Sequence, residues 1–375
     1  MNVIVTSVHA VIRSIRNLFR RKEKLLVGID ISSTAIKALV LSCNEGVYRV
    51  ENYGVIALAP NAVVENDIKD SDIVAKTLEA LVYQTGISEK EAAIAVPDST
   101  VISKVIQVEA NLSSNEIEAQ IMTEAKRYIP YPIDEVSFDF EVLGSTSNKP
   151  HLVDVFIVAS HTENIQSRVA ALKKGGMSVK VAEVESFAVE RACQLMSNRI
   201  INKGINKIIA VLDVGATLTT LTVLSNGSAV FTRSEVFGGR QLTDEIQRHY
   251  GLPLAEAGLA KKLGGLPEDY ATEVLQPFKD SLILYIRRAL QFYFSASQQQ
   301  SIDLILLAGG TSAIQGLSDY VQEQIGVTTQ VVNPLLEMAV APRVNIEALS
   351  NDVPALLICT GLALRSFSDK GMRFL

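Results

Sequence analysis

Two short segments of the sequence each place an aspartate just before a turn of small and hydroxyl-bearing residues. The first reads Asp30-Ile31-Ser32-Ser33-Thr34, and the second reads Asp213-Val214-Gly215-Ala216-Thr217. Such turns offer backbone N–H groups and hydroxyls with little side-chain bulk, which suits phosphate oxygens. Mg²⁺ keeps much of its water shell, so nearby carboxylates can orient it through water. These residues predict a site for a magnesium-bound polyphosphate, with Asp30 and Asp213 holding the metal.

The two turns lie inside a longer repeated pattern. Residues 27–42 read VGIDISSTAIKALVLS and residues 210–225 read AVLDVGATLTTLTVLS, so each copy is an apolar strand, a turn and a second apolar strand. One copy alone is a weak signal, because turns of this composition usually only reverse the chain. Both copies agree in order and element type, and each is followed by a further predicted strand (48–56 and 230–237). The pattern therefore indicates one α/β unit used twice.

A third segment, residues 306–316 (LLAGGTSAIQG), predicts a strand, a glycine turn and a helix. The turn holds Gly309, Gly310 and Thr311, and the N–H groups at a helix N-terminus can bind anions. Alone it is also an ordinary strand-to-helix loop, but with the two hairpins it predicts a nucleotide cleft between two halves. Lys37 is a further candidate ligand, although the alternation of a simple pleat predicts that it points outward.

Composition limits the class of protein. The chain has 375 residues, 48% of them hydrophobic, which suggests two or more cores. Its net charge is −6, but residues 1–24 carry a local balance of +5, which leaves −11 for the remainder. A body this acidic is a poor partner for nucleic acid. The three cysteines and four histidines are scattered, so the sequence predicts reduced thiols in the cytoplasm and no zinc or disulfide framework.

The N-terminal segment, residues 1–24, is interpreted as a basic amphipathic extension. Its apolar residues recur at helical spacing, and arginines fill the other faces: Ile4, Val8, Val11, Ile15 and Leu18. Such a helix could lie on an anionic membrane surface. A frayed extension, or an upstream start codon, explains the same residues, and both interpretations stay open. Elsewhere no apolar run reaches the ~18–20 residues that span a bilayer.

The predicted elements divide the chain into five parts. Between the two copies lies an α-β-β-α-β module of its own, and after the second copy a mainly helical stretch, with Pro277 as a break or kink. A C-terminal helix is expected to return to the first half. The parts are the extension (1–24), the first core half (25–107 plus 182–206), the inserted partner-binding module (108–181), the second core half (207–240 plus 302–375) and a helical subdomain (241–301).

These motifs resemble the actin-like ATPase superfamily. The hairpins resemble its two phosphate loops and Gly309 to Thr311 its adenosine loop, while residues 184–188 (VESFA) resemble its connecting motif. The resemblance implies a duplicated, ribonuclease-H-like α/β fold around an ATP and Mg²⁺ cleft. It also implies that Gly238 and Gly239 open the smaller second-half subdomain beside the nucleotide. If hydrolysis occurs, Asp30 and Asp213 orient the metal and Glu185 positions water.

Longer motifs resemble the PilM family of actin-like proteins of type IV pilus assembly. They are RYIPYPIDEVSFDFEV (127–142), FGGRQLTDEIQRHYGL (237–252) and EAGLAKKLGGLP (256–267). The resemblance, from about residue 18 to the end, implies a groove between the first core half and the inserted module for the cytosolic N-terminal tail of PilN. Through PilN it implies links to PilO, the platform protein and the motor ATPases, on the cytoplasmic face of the inner membrane. The family's nucleoside-contacting Glu is Gly258 here, while its Lys remains as Lys261.

Two other functions fit the same fold. A filament-forming protein of the FtsA or MreB type would use residues 1–24 as its membrane helix, because the chain ends without one. A small-molecule kinase would need an acceptor pocket and a base beside the γ-phosphate, and the motifs supply no surplus residues for them. ATPase activity is expected to be weak or absent.

Overall fold

Each duplicated turn joins the first two strands of a mixed β-sheet. The computed structural model describes residues 25–125, 129, 131–146, 149–200, 207–297, 299 and 301–368, so the predicted N-terminal helix lies outside the described residues. The first sheet is built around a strand that is buried along its whole length, with an antiparallel neighbour on one side and a parallel neighbour on the other. Its opening elements are β1 (Val27–Ile31), β2 (Ala35–Asn44), β3 (Val47–Ala57), the short hairpin of β4 (Val63–Val64) and β5 (Asp67–Ile68), α1 (Ser71–Thr85) and β6 (Glu91–Val96).

A separate three-stranded antiparallel sheet follows. Its last strand along the chain lies between the other two. One helix covers the sheet, and its Ile117 and Ile121 pack on Ile106, Val108 and Val155. The predicted capping box is formed, since the Ser113 N–H and hydroxyl both donate to the Glu116 carboxylate, at 2.8 and 2.7 Å. The elements are β7 (Val101–Glu109), α2 (Ser114–Ala125), β8 (Val136–Thr146) and β9 (Lys149–His161).

The chain then returns to the first sheet earlier than predicted. It forms α3 (Thr162–Lys174), β10 (Ser178–Val184) and α4 (Glu185–Ile200). Strand β10 pairs in parallel with β6, giving the order β10-β6-β1-β2-β3 with a sixth, C-terminal strand beside β3, and α3 packs on α1. The placement of α3 and β10 in the inserted module (108–181) was therefore wrong. We now propose that the module comprises β7, α2, β8 and β9, residues 101–161.

The second half repeats the opening of the first. Its elements are β11 (Ile208–Val214), β12 (Thr219–Ser225), β13 (Ser228–Glu235), α5 (Gly239–Tyr250), α6 (Leu254–Leu263), α7 (Gln276–Ala296), β14 (Leu304–Ala308), α8 (Leu317–Ile325) and β15 (Thr329–Val331). The sheet order is β13-β12-β11-β14-β15. A π-helical stretch, Tyr270–Leu275, runs directly into α7, and Pro277 lies in the first turn of α7, where its missing N–H costs little.

The C-terminal elements return to the first sheet. They are β16 (Ala339–Val340), α9 (Ile346–Asp352) and α10 (Leu357–Ala363). Strand β16 pairs with β3, and α10 packs on β1 and α4. Apolar residues of α4 and α10 also contact the second sheet, including Val189 and Leu357 against Val211 and Leu306. These two helices thus form a layer shared by both halves.

One stretch has the length and apolar character of a membrane-spanning helix. It covers Ile346–Phe367, which α9, α10 and two 3₁₀ turns make up, and half of it is buried. Cys359, Leu362 and Ala363 within it are buried against the first sheet and α4. Its hydrophobicity is accounted for by this packing.

Candidate functional site

The two predicted phosphate turns have the same geometry. In the first, the Ser32 N–H donates to the Ala35 carbonyl at 3.0 Å; in the second, the Gly215 N–H donates to the Leu218 carbonyl at 2.9 Å. These equivalent bonds close the same chain reversal, between β1 and β2 in the first half and between β11 and β12 in the second. The Ser32 hydroxyl also donates to Ala35, at 2.9 Å, so both donors of this predicted ligand are used inside the turn.

The tips of the two turns meet across the cleft. The Ser33 hydroxyl lies 2.9 Å from the Thr217 hydroxyl, although 184 positions separate these residues in the chain. Within the described residues, the N–H groups of Ser33, Thr34, Ala216 and Thr217 donate to no other backbone group. The meeting point therefore offers uncommitted N–H donors from both halves, as an anion site requires.

Asp30 is held by a lysine of its own hairpin. The two residues are opposite in the β1–β2 register, and the Lys37 Nζ lies 2.6 Å from Asp30 Oδ2. The expectation that Lys37 points outward was wrong, because its ammonium lies beside a carboxylate that is only 4% exposed. Burial lowers the pKa of Lys37. The charges of Asp30, Cys359 and Asp213 together raise it by more, so the net shift of the Lys37 pKa is upward. In the second hairpin the equivalent position is Thr220, and Asp213 lacks a lysine of its own.

Three acidic side chains predicted from the sequence lie close enough to act on one another. Burial raises the pKa of Asp213 to about 6, with Lys37 opposing and Asp30 adding to the rise. Glu185 begins α4, and burial raises its pKa to about 8, with Asp98, Asp30 and Asp213 adding to the effect. Such a concentration of negative charge is suited to a hydrated divalent cation.

Sequence reasoning missed two charged residues of this cluster. Asp98 follows β6 and binds the start of α4, since its carboxylate accepts from the Ser186 N–H at 3.0 Å and the Ser186 hydroxyl at 2.6 Å. Burial raises the pKa of Asp98 to about 6, and the bonds from Ser186 oppose the rise. Arg168 on α3 is 2% exposed, and it is the cation that opposes the raised pKa of Glu185. Neither belongs to a motif, so only the topology identifies them.

The second half contributes a platform of closely packed glycines. The Gly239 N–H and the Thr311 hydroxyl donate to the Gly215 carbonyl at 3.0 and 2.9 Å, and the Lys261 Nζ donates to the Gly239 carbonyl at 2.8 Å. A Cβ at Gly239 would collide with the Thr311 hydroxyl, and one at Gly309, where φ is +83°, with the Asp213 carboxylate. The predicted residues Gly215, Gly239, Lys261, Gly309 and Thr311 are thus brought together.

Lys261 has an unusual electrostatic environment for a surface helix. Its Nζ also donates to the Thr243 hydroxyl at 2.7 Å. Burial and the neighbouring Lys262 lower the pKa of Lys261 to about 8, which Asp244 opposes. Gly238 packs against Ala216 and Gly215, and Gly310 begins the short 3₁₀ turn that contains Thr311.

The donor set fits magnesium held through water. In the described part of the chain, no three His, Cys, Asp or Glu side chains are placed to hold a metal ion directly. The carboxylates of Asp30 and Asp213 nevertheless lie near the ends of the first strands of the two halves, beside the turns that carry the uncommitted N–H groups. This chemistry is that of a cation shared between protein carboxylates and ligand phosphates.

Two cavities flank the turn of residues 98–100. One, of about 270 Å³, lies between the first core half and the module; its lining residues include Asp67, Thr100, Tyr131, Ser160 and Asn164. We call it the module groove. The other, of about 310 Å³, lies between the module, the start of α4 and β13. The module groove lies between the two parts of the chain where the resemblance to the PilM family implied a partner-binding groove.

The two similar halves, with the site between them, define an actin-like protein. The ethanolamine utilization protein EutJ from Carboxydothermus hydrogenoformans shares this fold, at 17% identity and a TM-score of 0.55 over 90% of this chain and 89% of that one. The family model described as type IV pilus assembly protein PilM matches residues 28–367, and the chain belongs to that family. A PilM–PilN type IV pilus biogenesis complex is 27% identical, with a TM-score of 0.77 over 92% of this chain and 98% of that one.

Proposed function

We propose that this protein is an ATP-binding adaptor of type IV pilus assembly. The observation that carries the nucleotide part is the contact between Ser33 and Thr217, which brings two equivalent turns and their aspartates to one place. The partner part is supported by the module groove and by the similarity to a PilM–PilN complex. The adaptor would work at the cytoplasmic face of the inner membrane.

In this proposal the nucleotide is held by both halves. Phosphates would accept from the N–H groups of the two turns, at Ser33, Thr34, Ala216 and Thr217. Magnesium would supply the positive charge that lets carboxylates and phosphates lie together, with Asp30 and Asp213 orienting its water. The nucleoside would lie on the glycine platform with Gly238, Gly239, Lys261, Gly309, Gly310 and Thr311.

ATP turnover in this site would be weak or absent. A general base must be ionised before it can accept a proton from water. With a pKa of about 8, Glu185 is mostly protonated at neutral pH. The site is therefore better suited to holding ATP than to hydrolysing it.

The partner in the module groove would be the cytosolic N-terminal tail of PilN. The groove is lined by apolar residues and by hydroxyls and amides, a mixture that suits a short peptide. Through PilN the protein would connect to PilO, the platform protein and the motor ATPases. A membrane contact through residues 1–24 remains a prediction from the sequence alone.

The first test concerns the cleft. Asp213→Asn removes the charge that would orient magnesium while preserving shape. Wild-type protein with Mg-ATP at a hundredfold excess over its Kd should gain ~2.7 kcal/mol of stability, and the variant should lose that gain. Thermal unfolding with and without Mg-ATP measures both, and Asp319→Asn, on α8 of the same half, is the control. Equal stabilisation of Asp213→Asn and wild type would remove Asp213 from the site.

The second test concerns the groove. Tyr131 lines the module groove, is 47% exposed and makes an edge contact with His161. Tyr131→Ala should weaken binding of a synthetic PilN N-terminal peptide about tenfold, a typical loss for a buried aromatic anchor, and leave ATP affinity unchanged. Tyr83→Ala is the matched control, since Tyr83 is 89% exposed on α1. Peptide affinity retained in Tyr131→Ala would place the partner elsewhere.

A further inference from the structure

One buried arginine lies between the module groove and the acidic cluster and is held only by neutral groups. Arg168, on α3, is 2% exposed. Its Nη1 donates to the Asn164 carbonyl at 2.9 Å, and its Nη2 donates to the Asn66 carbonyl. Within the described residues no carboxylate lies at ion-pair distance from this guanidinium. The carboxylates near enough to act on its charge are Glu185, Asp67 and Asp30.

The same protein shows how an arginine is satisfied in a structural role. Arg191 and Arg365 both contact the fully buried Glu183 carboxylate, at 2.6–2.9 Å. A buried charge without such a partner is costly. Arg168 therefore differs from these two arginines, because the carboxylates that act on its charge belong to the nucleotide site (Glu185 and Asp30) and to the module groove (Asp67) rather than to a dedicated ion-pair partner.

Of the two carbonyls that hold the guanidinium, one belongs to a residue that lines the module groove and the other to the chain neighbour of a lining residue. Asn164 lines the groove, and its amide donates to the Ser160 hydroxyl at 3.3 Å, which donates to the Thr100 carbonyl at 2.9 Å. Asn66 lies in the β4–β5 turn, with φ at +68°, and precedes Asp67, another lining residue. A peptide that displaces either wall would thus act on the hydrogen bonds of the guanidinium.

We propose that Arg168 is a positioning residue that couples the two sites, so that a peptide in the module groove and Mg-ATP in the cleft change each other's affinity. Movement of Asn66 or Asn164 changes the distance of the guanidinium from Asp30, whose negative charge the magnesium needs, and from Glu185 at the start of α4. Coupling between two binding sites is reciprocal and typically amounts to about 5–150-fold. The inference rests on the proposed function, because it requires both ligands to bind.

The test is a thermodynamic cycle on the full chain. The Kd of the PilN N-terminal peptide is measured by calorimetry with and without saturating Mg-ATP, and the Kd of Mg-ATP with and without saturating peptide. In the wild type the two ratios should agree and differ from one by at least about fivefold. A wild type that binds neither ligand contradicts the proposed function itself. A wild type that binds both with a ratio of one overturns only the coupling.

Two substitutions separate coupling from stability. Arg168→Lys keeps the charge but cannot bridge two carbonyls with a planar fork, and Arg168→Met removes the charge. Arg168→Lys should retain both single-ligand affinities within about threefold while its coupling ratio falls toward one; Arg168→Met should lose the coupling completely. Lys173→Met, which removes an exposed charge from the same helix, is the control. Coupling ratios in Arg168→Lys equal to that of the wild type would overturn the inference, whatever happens to stability.

Discussion

Glu185 faces Asp98, Asp30 and Asp213 from the start of α4, and Arg168 is the cation that partly compensates them. In the ligand-free protein the carboxyl holds its proton up to a pH of about 8, whereas an unfolded chain releases it near its ordinary value of 4.5. Folded protein therefore binds more protons across this interval, and stability must fall as the pH rises through it. Asp213 and Asp98 add the same trend up to about pH 6.

This linkage predicts the behaviour of Glu185→Gln. The variant should lose less stability than wild type between pH 5 and pH 8, and at pH 8 it should be the more stable protein. We expect a difference of roughly 1–3 kcal/mol, discounted because the carboxyl is only half-buried. Urea unfolding at several pH values measures it, with Glu163→Gln, at 84% exposure, as control. Parallel stability curves for Glu185→Gln and wild type would contradict the raised pKa.

Sequence patterns at this scale identified the residues of short motifs but not their partners. The aspartates and glycines stand out because a duplicated turn and a close approach restrict the residue type. Lys37 was named as a candidate ligand, yet its predicted direction was wrong, because the pairing of β1 with β2 places it opposite Asp30. Arg168 and Asp98 carry no local signal, since contacts between distant elements create their environment.

At the scale of elements, the contact between the two hairpins is the feature most open to direct test. Substituting cysteine for both Ser33 and Thr217 should allow a disulfide, because their hydroxyls are already 2.9 Å apart. We expect the oxidised double variant to lose at least about tenfold in Mg-ATP affinity, since the bond closes the tips of the turns together and blocks the space that the phosphates would enter. Reduction with dithiothreitol should restore binding.

Matched controls make that experiment interpretable. Each single cysteine variant should bind Mg-ATP as the reduced double variant does. Of the native thiols, Cys193 and Cys359 are buried and Cys43 is half-buried, so mass spectrometry can identify the new bond. Full Mg-ATP affinity in the oxidised double variant would show that the turns do not enclose the phosphates.

The type of each element, helix or strand, was easier to predict from the sequence than the sheet or module to which the element belongs. The strand-turn-strand pattern and the capping box are local, and both are found where the sequence places them. The assignment of α3 and β10 depends instead on which sheet offers β10 a parallel partner, and β6 does so. Periodicity carries no information about that choice, which explains the wrong module boundary.

At the scale of the whole molecule, the ion pairs of one buried glutamate hold the C-terminal segment against the first half. The Glu183 side chain is completely buried on β10, and it binds Arg191 of α4 and Arg365 after α10. Glu183→Gln should leave the buried guanidinium of Arg365 and the partly buried one of Arg191 poorly compensated, and cost about 3–5 kcal/mol of unfolding free energy. Asp72→Asn, which breaks the exposed pair with Lys174, should change the unfolding free energy far less, because solvent screens an exposed ion pair. Urea unfolding distinguishes the two, and equal losses would contradict this structural role.

The return of the chain to its first half has a mechanical consequence. The polypeptide crosses between the halves twice, once after α4 and once between β15 and β16, and the Leu26 N–H meets the Ser366 hydroxyl at 2.8 Å. Two covalent crossings limit how far the halves can separate, and they favour rotation of one half against the other about the line that joins the crossings. Force applied to the first half by a tethered partner would consequently be delivered to the second as torque.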